Sequence, residues 1–311
     1  MSKYPIKREF FPFNHLKPPI SKTFLKIVVP FIKKTPKFLY RDKALTTECY
    51  TVKSYDGENI ECFLISPKTK KEKSPCLIYI HGGGFVLPAA KYHYKNAMRY
   101  AKETGCTVWF INYRLAPKYP HPTYFEDCYA AVCYLYEQAN TFGIDKEKIA
   151  IGGDSAGATL SVAVCSMVKE QNHPIRFVFQ LLPYPFLDMR GESASNKKYT
   201  DTPMWNAKLS KKIGPLVQVK EDDPTRFYYS PVEAESFGYL PPAYIETAEF
   251  DCLHDEGEAF ANRLKESGVE VEYYATKGTI HGFDIVKKSE VVDEAVRRRI
   301  AFLRRVLLER V

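Results

Sequence analysis

Apolar positions along this chain change their period several times, and the changes divide it into alternating strands and helices. Cys76-Leu77-Ile78-Tyr79-Ile80, Lys148-Ile149-Ala150-Ile151-Gly152 and Ala243-Tyr244-Ile245-Glu246-Thr247-Ala248 are apolar runs of strand length, and Val269-Glu270-Val271-Glu272-Tyr273-Tyr274 alternates with period two. Between them, Ala158 to Val164 reads as helix, as do residues 254–267 and a long stretch from about Ser289. Thr123 and Glu126 predict a capping box in front of the apolar positions Ala130, Ala131 and Leu135. Strands alternating with helices from about residue 49 onward predict an α/β fold built on a parallel sheet. Upstream, Phe24, Ile27, Val28, Phe31 and Ile32 recur at helical spacing and predict an amphipathic stripe.

Length and composition add that this is one large domain: 311 residues, 45% hydrophobic and 14% aromatic, with no Pro/Gly/Ser linker, repeat or low-complexity tract. Charge changes the picture only at one end. The net +8 resides in residues 1–43, which hold eleven Lys or Arg against two acids, together with Phe10, Phe11, Phe13, Phe24, Phe31 and Phe38. A basic aromatic helix can lie on an anionic membrane, but the longest early apolar run, Ile27 to Ile32, contains Pro30 and is too short to span one. No signal peptide is expected. The eight cysteines lack metal-ligand spacing, and Cys76, Cys106 and Cys165 lie in apolar stretches, so reduced thiols and a cytoplasmic location are expected. No feature matches a nucleic-acid-binding module.

Candidate chemistry begins at Gly153-Asp154-Ser155-Ala156-Gly157. A strand before and a helix after place Ser155 on a sharp turn, where Gly153 and Gly157 let the two elements approach and the helix N-terminus favours developing negative charge. The triple glycine of His81-Gly82-Gly83-Gly84, directly after an apolar strand, can converge backbone N–H groups on a tetrahedral oxyanion. The oxyanion hole is therefore assigned to the N–H groups of Gly83, Gly84 and Ala156, with His81 as a structural histidine bracing the loop.

The order serine, acid, histidine then selects the partners. Of seven histidines only His281 lies well downstream of a strand-end acid, on a loop between a strand and a long helix. His254 falls inside a helix next to the acid, and His15, His93, His121 and His173 precede it and read as surface or packing residues. Asp251 stands just past the strand 243–248, where open α/β sheets gather functional groups. Glu249 is its nearest competitor; Asp255, Glu256 and Glu258 read as a solvated helix face. Ser155 as nucleophile, Asp251 as acid and His281 as base make a serine hydrolase triad.

With these residues in place, the chain from about Cys49 onward resembles the hormone-sensitive-lipase group of α/β-hydrolases. The resemblance rests on His81-Gly-Gly-Gly-Phe85-Val86, Asn112-Tyr113-Arg114-Leu115-Ala116-Pro117, Gly152 to Gly157, Thr247-Ala248-Glu249-Phe250-Asp251 with Asp255-Glu256-Gly257, and Ile280-His281-Gly282-Phe283. Departures are Ala158 where another glycine is usual, Cys252 where proline is common, and Lys118 in place of an acid. The resemblance implies an α/β-hydrolase fold, with an eight-stranded, mostly parallel sheet flanked by helices and a helical cap over the site. It implies hydrolysis of carboxylic esters, with no cofactor and no metal. Residues 1–48 are then the N-terminal part of the cap and 49–311 the catalytic domain, with a cap insertion at about 188–230 that includes Trp205. The expected substrates are short acyl esters, from acetyl to about hexanoyl. The alternatives are a deacetylase or amidase acting on an acetylated sugar or metabolite, or a non-catalytic ligand receptor, against which retention of the whole triad speaks. The expected partner is a small-molecule ester, without nucleic acid or stable membrane insertion, in a monomer or dimer.

Overall fold

The computed structural model describes residues 3–27, 29, 41–70, 72–217, 219–220 and 222–309. Eight strands form one sheet in the order β1-β2-β4-β3-β5-β6-β7-β8: β1 (Leu45–Lys53), β2 (Asn59–Pro67), β3 (Ser74–Ile80), β4 (Thr107–Asn112), β5 (Ile144–Gly153), β6 (Phe177–Pro183), β7 (Ala243–Phe250) and β8 (Val271–Ile280). β2 runs antiparallel to both β1 and β4, and every pairing from β4 through β8 is parallel. Strands covered on both faces carry unbroken apolar runs rather than alternation, which is why Leu77, Ile78 and Ile80 of β3 and all of β4 are buried.

The described α-helices are α1 (Lys22–Ile27) before the sheet, α2 (Lys91–Thr104), α3 (Thr123–Glu137), α4 (Ala156–Glu170), α5 (Ala194–Lys198), α6 (Ala207–Val217), α7 (Arg226–Tyr229) and α8 (His254–Glu266) between strands, and α9 (Glu290–Arg304) after the last strand. α3 packs on α4 and α2 on α9. The capping box expected at Thr123 does not form. Thr123 is the first helical residue, with Pro122 before it, so its hydroxyl cannot hang below the first turn. The Pro122 carbonyl instead accepts the N–H groups of Phe125 and Glu126. A side-chain cap does open α9, where the Ser289 hydroxyl accepts the Val292 N–H.

The N-terminal segment lies against the folded domain. The Lys7 N–H donates to Gly278 at 2.9 Å, the Met204 N–H donates to the Leu16 carbonyl at 2.8 Å, and Phe10 is fully buried. Of the expected stripe, Phe24 is partly buried and Ile27 is 59% exposed, while Leu25 and Val29 face inward. Leu25 and Val29 stand four positions apart, the spacing of one helical face, and Ile27 falls on the other side of it. Val28, Phe31 and Ile32 lie outside the described residues.

Candidate active site

Strand register brings the expected residues together. β3 and β5 pair with Ile80 opposite Gly153, so the turns that follow, His81 to Gly84 and Asp154 to Ser155, leave the sheet side by side. β7 and β8 pair with Phe250 opposite Ile280, which sets Asp251 beside His281. All four turns sit at the C-terminal edge of parallel strands, where backbone groups no longer used by the ladder open a crevice.

Ser155 occupies φ 55°, ψ −122° as the residue before α4, a conformation costly for a residue with a Cβ. Its N–H donates to the Pro183 carbonyl at 3.1 Å, which ties the turn to β6. A Cβ at Gly153 or Gly157 would collide with the Ile80 carbonyl oxygen, so only glycine lets strand, helix and β3 close around the serine. His281 Nε2 lies 2.9 Å from Ser155 Oγ, and His281 Nδ1 lies 2.6 Å from Asp251 Oδ2. The Leu253 N–H donates to the other Asp251 oxygen at 3.0 Å. Asp251 accepts at Nδ1, so that nitrogen carries the proton and Nε2 presents its lone pair to the serine hydroxyl. All three side chains are buried. Glu249, the competing acid, points elsewhere: its carboxylate accepts the Gly278 N–H at 2.7 Å and lies 3.8 Å from Lys277.

Among the described residues the N–H groups of Gly83, Gly84 and Ala156 make no hydrogen bond. Gly83 and Gly84 hold φ +117° and +59°, and Phe85 holds +64°. That turn is fixed from behind, where the Phe85 carbonyl accepts the Ala116 N–H at 3.0 Å. Arg114 anchors the same loop through buried contacts to Asp127 and a further one to Asp56. His81 stacks on Tyr113 at 4.4 Å and 13°, and the Tyr113 hydroxyl donates to the His81 carbonyl at 3.0 Å.

Beneath the turn His81 to Gly84, His93 is buried and does more than pack. Its Nδ1 accepts the Ala90 N–H at 2.7 Å, so Nε2 carries a proton, which it donates to Asp154 Oδ2 at 3.0 Å. The Tyr79 hydroxyl donates to Asp154 Oδ1 at 2.6 Å. Burial raises the Asp154 carboxyl, but His93 and Tyr79 outweigh it and hold the group at about 2. A tyrosine in the middle of an aliphatic strand was the available signal, since a buried hydroxyl needs a partner. The structure corrects the reading of α8. Glu256 is not on a solvated face but buried, accepting the Leu187 and Asp188 N–H groups, and burial raises its carboxyl well above the usual range. Asp255 accepts the Ser195 N–H at 2.6 Å. Both tether the segment after β6 to the helix that follows Asp251.

Above the serine stands Trp205. Its Nε1–H donates to Ser210 Oγ at 2.9 Å, and its ring lies 6.0 Å from that of His281. A Cβ on Gly84 would stand 2.6 Å from the Trp205 ring. Gly84, Phe85, Ser155, Phe186, Trp205 and Ile213 enclose a space of only about 10 Å³.

A family model described as the alpha/beta hydrolase fold matches residues 77–285, which contain every strand-end turn of the site. The chain belongs to the α/β-hydrolase family. Within it the chain is of the hormone-sensitive-lipase type, and it is a carboxylic ester hydrolase. It is 31% identical to carboxylesterase NlhH of Mycobacterium tuberculosis, over 88% of this chain and 86% of that protein. An α/β hydrolase of Acanthamoeba polyphaga mimivirus is 32% identical over 73% of this chain, a match that spans 66% of the viral protein. Among solved structures, a bacterial heroin esterase superposes with a TM-score of 0.81 at 29% identity, covering 92% of this chain and 90% of that one. Among the described residues no helix of this hydrolase is long and apolar enough to cross a membrane.

Proposed function

We propose that this hydrolase is a serine carboxylesterase for short acyl esters, from acetyl to about hexanoyl, acting through an acyl-enzyme. The observation that carries the reading is the continuous hydrogen-bonded line from Ser155 through His281 to Asp251. Ser155 Oγ attacks the ester carbonyl as His281 Nε2 takes its proton, and Asp251 stabilises the imidazolium that forms. The carbonyl oxygen becomes an oxyanion facing the N–H groups of Gly83, Gly84 and Ala156, whose positions are preset by the strained turns on either side. Collapse of the intermediate breaks the C–O bond, and His281 returns the proton to the departing alcohol. Water then repeats the sequence on the acyl-Ser155 ester, giving the free acid and regenerating the hydroxyl.

Acyl length follows from the walls. Phe85, Phe186, Trp205 and Ile213 are apolar and bulky, and the residual space suits an acetyl methyl better than a long chain. In this reading residues 1–48 and about 188–230 form the cap, since the first holds the loop that carries Trp205. The same small acyl space also suits a deacetylase acting on an acetylated sugar or metabolite. A panel of p-nitrophenyl esters alongside acetylated sugars and amides separates these readings. Higher kcat/KM for palmitoyl than for butyryl esters would overturn the short-chain assignment, and absence of turnover on every ester would overturn the enzyme itself.

A further inference from the structure

One guanidinium lies at the centre of the sheet's functional edge without touching the site. Arg299, on α9, is fully buried. Its Nε donates to Glu246 of β7 at 2.6 Å, and its Nη1 and Nη2 donate to the two oxygens of Asp284 at 2.5 and 3.2 Å. Asp284 lies three residues after His281, in the turn that follows Gly282 at φ +65°. Asn96 of α2 donates a further hydrogen bond to Asp284 Oδ2 at 2.9 Å. The Arg299 cation also faces the rings of Tyr184 and Phe283, at 5.8 and 5.5 Å, and Tyr184 packs edge-on against His281 at 5.2 Å. Tyr184 follows Pro183, whose carbonyl holds the Ser155 N–H, and the Tyr184 N–H donates to the Glu246 carbonyl.

We infer that Arg299 and Asp284 form a positioning pair that fixes the His281 turn relative to the strands carrying Ser155 and Asp251. Stability does not explain the pair. A buried ion pair replaced by apolar residues of similar size is often neutral or better for folding, because the desolvation of two charges offsets their attraction. Geometry does explain it: a bidentate fork fixes two angles as well as a distance, and here one fork reaches β7 and the base-bearing turn together. The imidazole must present Nε2 to the serine hydroxyl while keeping Nδ1 on Asp251, and a misplacement of about 1 Å can cost about a hundredfold in rate. Arg299 therefore acts through His281, and the inference rests on His281 being the base.

The experiment compares Asp284→Asn, Arg299→Lys and the paired change Asp284→Leu with Arg299→Met, using p-nitrophenyl butyrate and an alkyl fluorophosphonate. The paired variant leaves Glu246 Oε1 its contacts to Arg298 and Thr276 but takes the Arg299 donor from Oε2. It should fold with a lowered Tm, lose about tenfold to a hundredfold in kcat at nearly unchanged KM, and slow the labelling of Ser155 by a similar factor. Arg299→Lys, which keeps the charge but not the fork, should fall between the two. A merely structural role predicts loss of Tm without this split. Asn96→Ala, a milder loosening of Asp284, should lower kcat by about threefold at constant KM. A kcat within about twofold of wild type in the folded paired variant would overturn the inference. Should that variant fail to fold, an unchanged kcat in Asn96→Ala overturns it alone. If His281→Ala itself retained turnover, the base assignment would fail instead, and the two failures are thereby told apart.

Discussion

Replacing Trp205 by alanine should move the acyl preference toward longer chains, by an amount the structure bounds. The indole is 6% exposed, forms one wall of the space beside Ser155, and is held by the hydrogen bond to Ser210. Truncating a buried tryptophan costs about 3–5 kcal/mol, which in a chain of this size lowers Tm by on the order of 10 °C. The fold should survive at 25 °C. Each acyl methylene that finds room in the vacated volume contributes about 0.8 kcal/mol, roughly fourfold in kcat/KM. Four methylenes separate butyryl from octanoyl, so their kcat/KM ratio should shift by at most about two-hundredfold, and Trp205→Phe should shift it less. The assay is a series of p-nitrophenyl esters from acetyl to decanoyl, each below its solubility limit, with far-UV circular dichroism as the check on folding. A folded Trp205→Ala enzyme whose octanoyl-to-butyryl ratio equals that of the wild type would show that the acyl chain does not lie against the indole. The wall argument would then be wrong.

Ser155→Ala should abolish turnover, by on the order of a millionfold, at unchanged Tm, and a fluorophosphonate should add its mass at Ser155 alone. His281→Ala and Asp251→Asn should each lose most of kcat, whereas Glu249→Gln should not, because Glu249 serves the Gly278 N–H; greater damage from Glu249→Gln would reverse the assignment of the acid. Deleting residues 1–43 should raise hydrophobic-dye binding and lower activity on p-nitrophenyl acetate; full activity together with salt-sensitive liposome binding by the intact chain would favour a membrane role. Acid stability should depend on His93. Asp154 is more acidic in the fold, at about 2, than its ordinary 3.8, so its contribution is complete above about pH 4 and is lost as pH falls toward 2. In His93→Phe the carboxyl loses a partner, its folded value rises, and acid unfolding followed by fluorescence should begin at higher pH.

Where the sequence was legible, the cause was local. Gly153 and Gly157 announce a close approach that no other residue tolerates, and the apolar runs of β3, β5 and β7 are the pattern that burial on both sheet faces demands. The order of the motifs pointed to Asp251 and His281, each directly after a strand end, and the fold places them in hydrogen-bonded line with Ser155. What could not be read depends on residues far apart in the chain. Nothing near His93 shows that Asp154, 61 positions later, will accept its proton. Nothing in 254–267 distinguishes buried Glu256 from its solvated neighbours, because its partners are backbone N–H groups of a distant loop. Arg299 illustrates the same limit: charged residues on a surface helix default to solvent, and only the folded packing of α9 against α2, β7 and the His281 turn turns this one inward. Of the stripe expected at residues 24–32 only Phe24 and Ile27 are described, the first partly buried and the second exposed, while Leu25 and Val29 supply the buried apolar side chains there.

The N-terminal segment touches the loop that carries Trp205, where the Met204 N–H donates to the Leu16 carbonyl. The space beside Ser155 is small, and one of its walls, Trp205, closes the loop 199–205. That loop is held by the Leu16 carbonyl at Met204, by Lys3 and Tyr4 at Asp201, and by the Tyr4 ring between Tyr199 and Phe250. Lys3 is 66% exposed at its side chain, and a surface ion pair of that kind contributes little. The loop is also held from within, by the Thr202 hydroxyl on the Trp205 carbonyl at 2.8 Å, the Asn206 amide on the Thr202 carbonyl at 3.0 Å and the Ala207 N–H on the Tyr199 carbonyl at 3.1 Å. The sheet beneath it is fixed by eight strands and by the buried pairs at Asp154, Asp127 and Arg299. For the proposed esterase this sets the triad turns on the rigid sheet edge and the acyl wall on a loop that the N-terminal segment anchors.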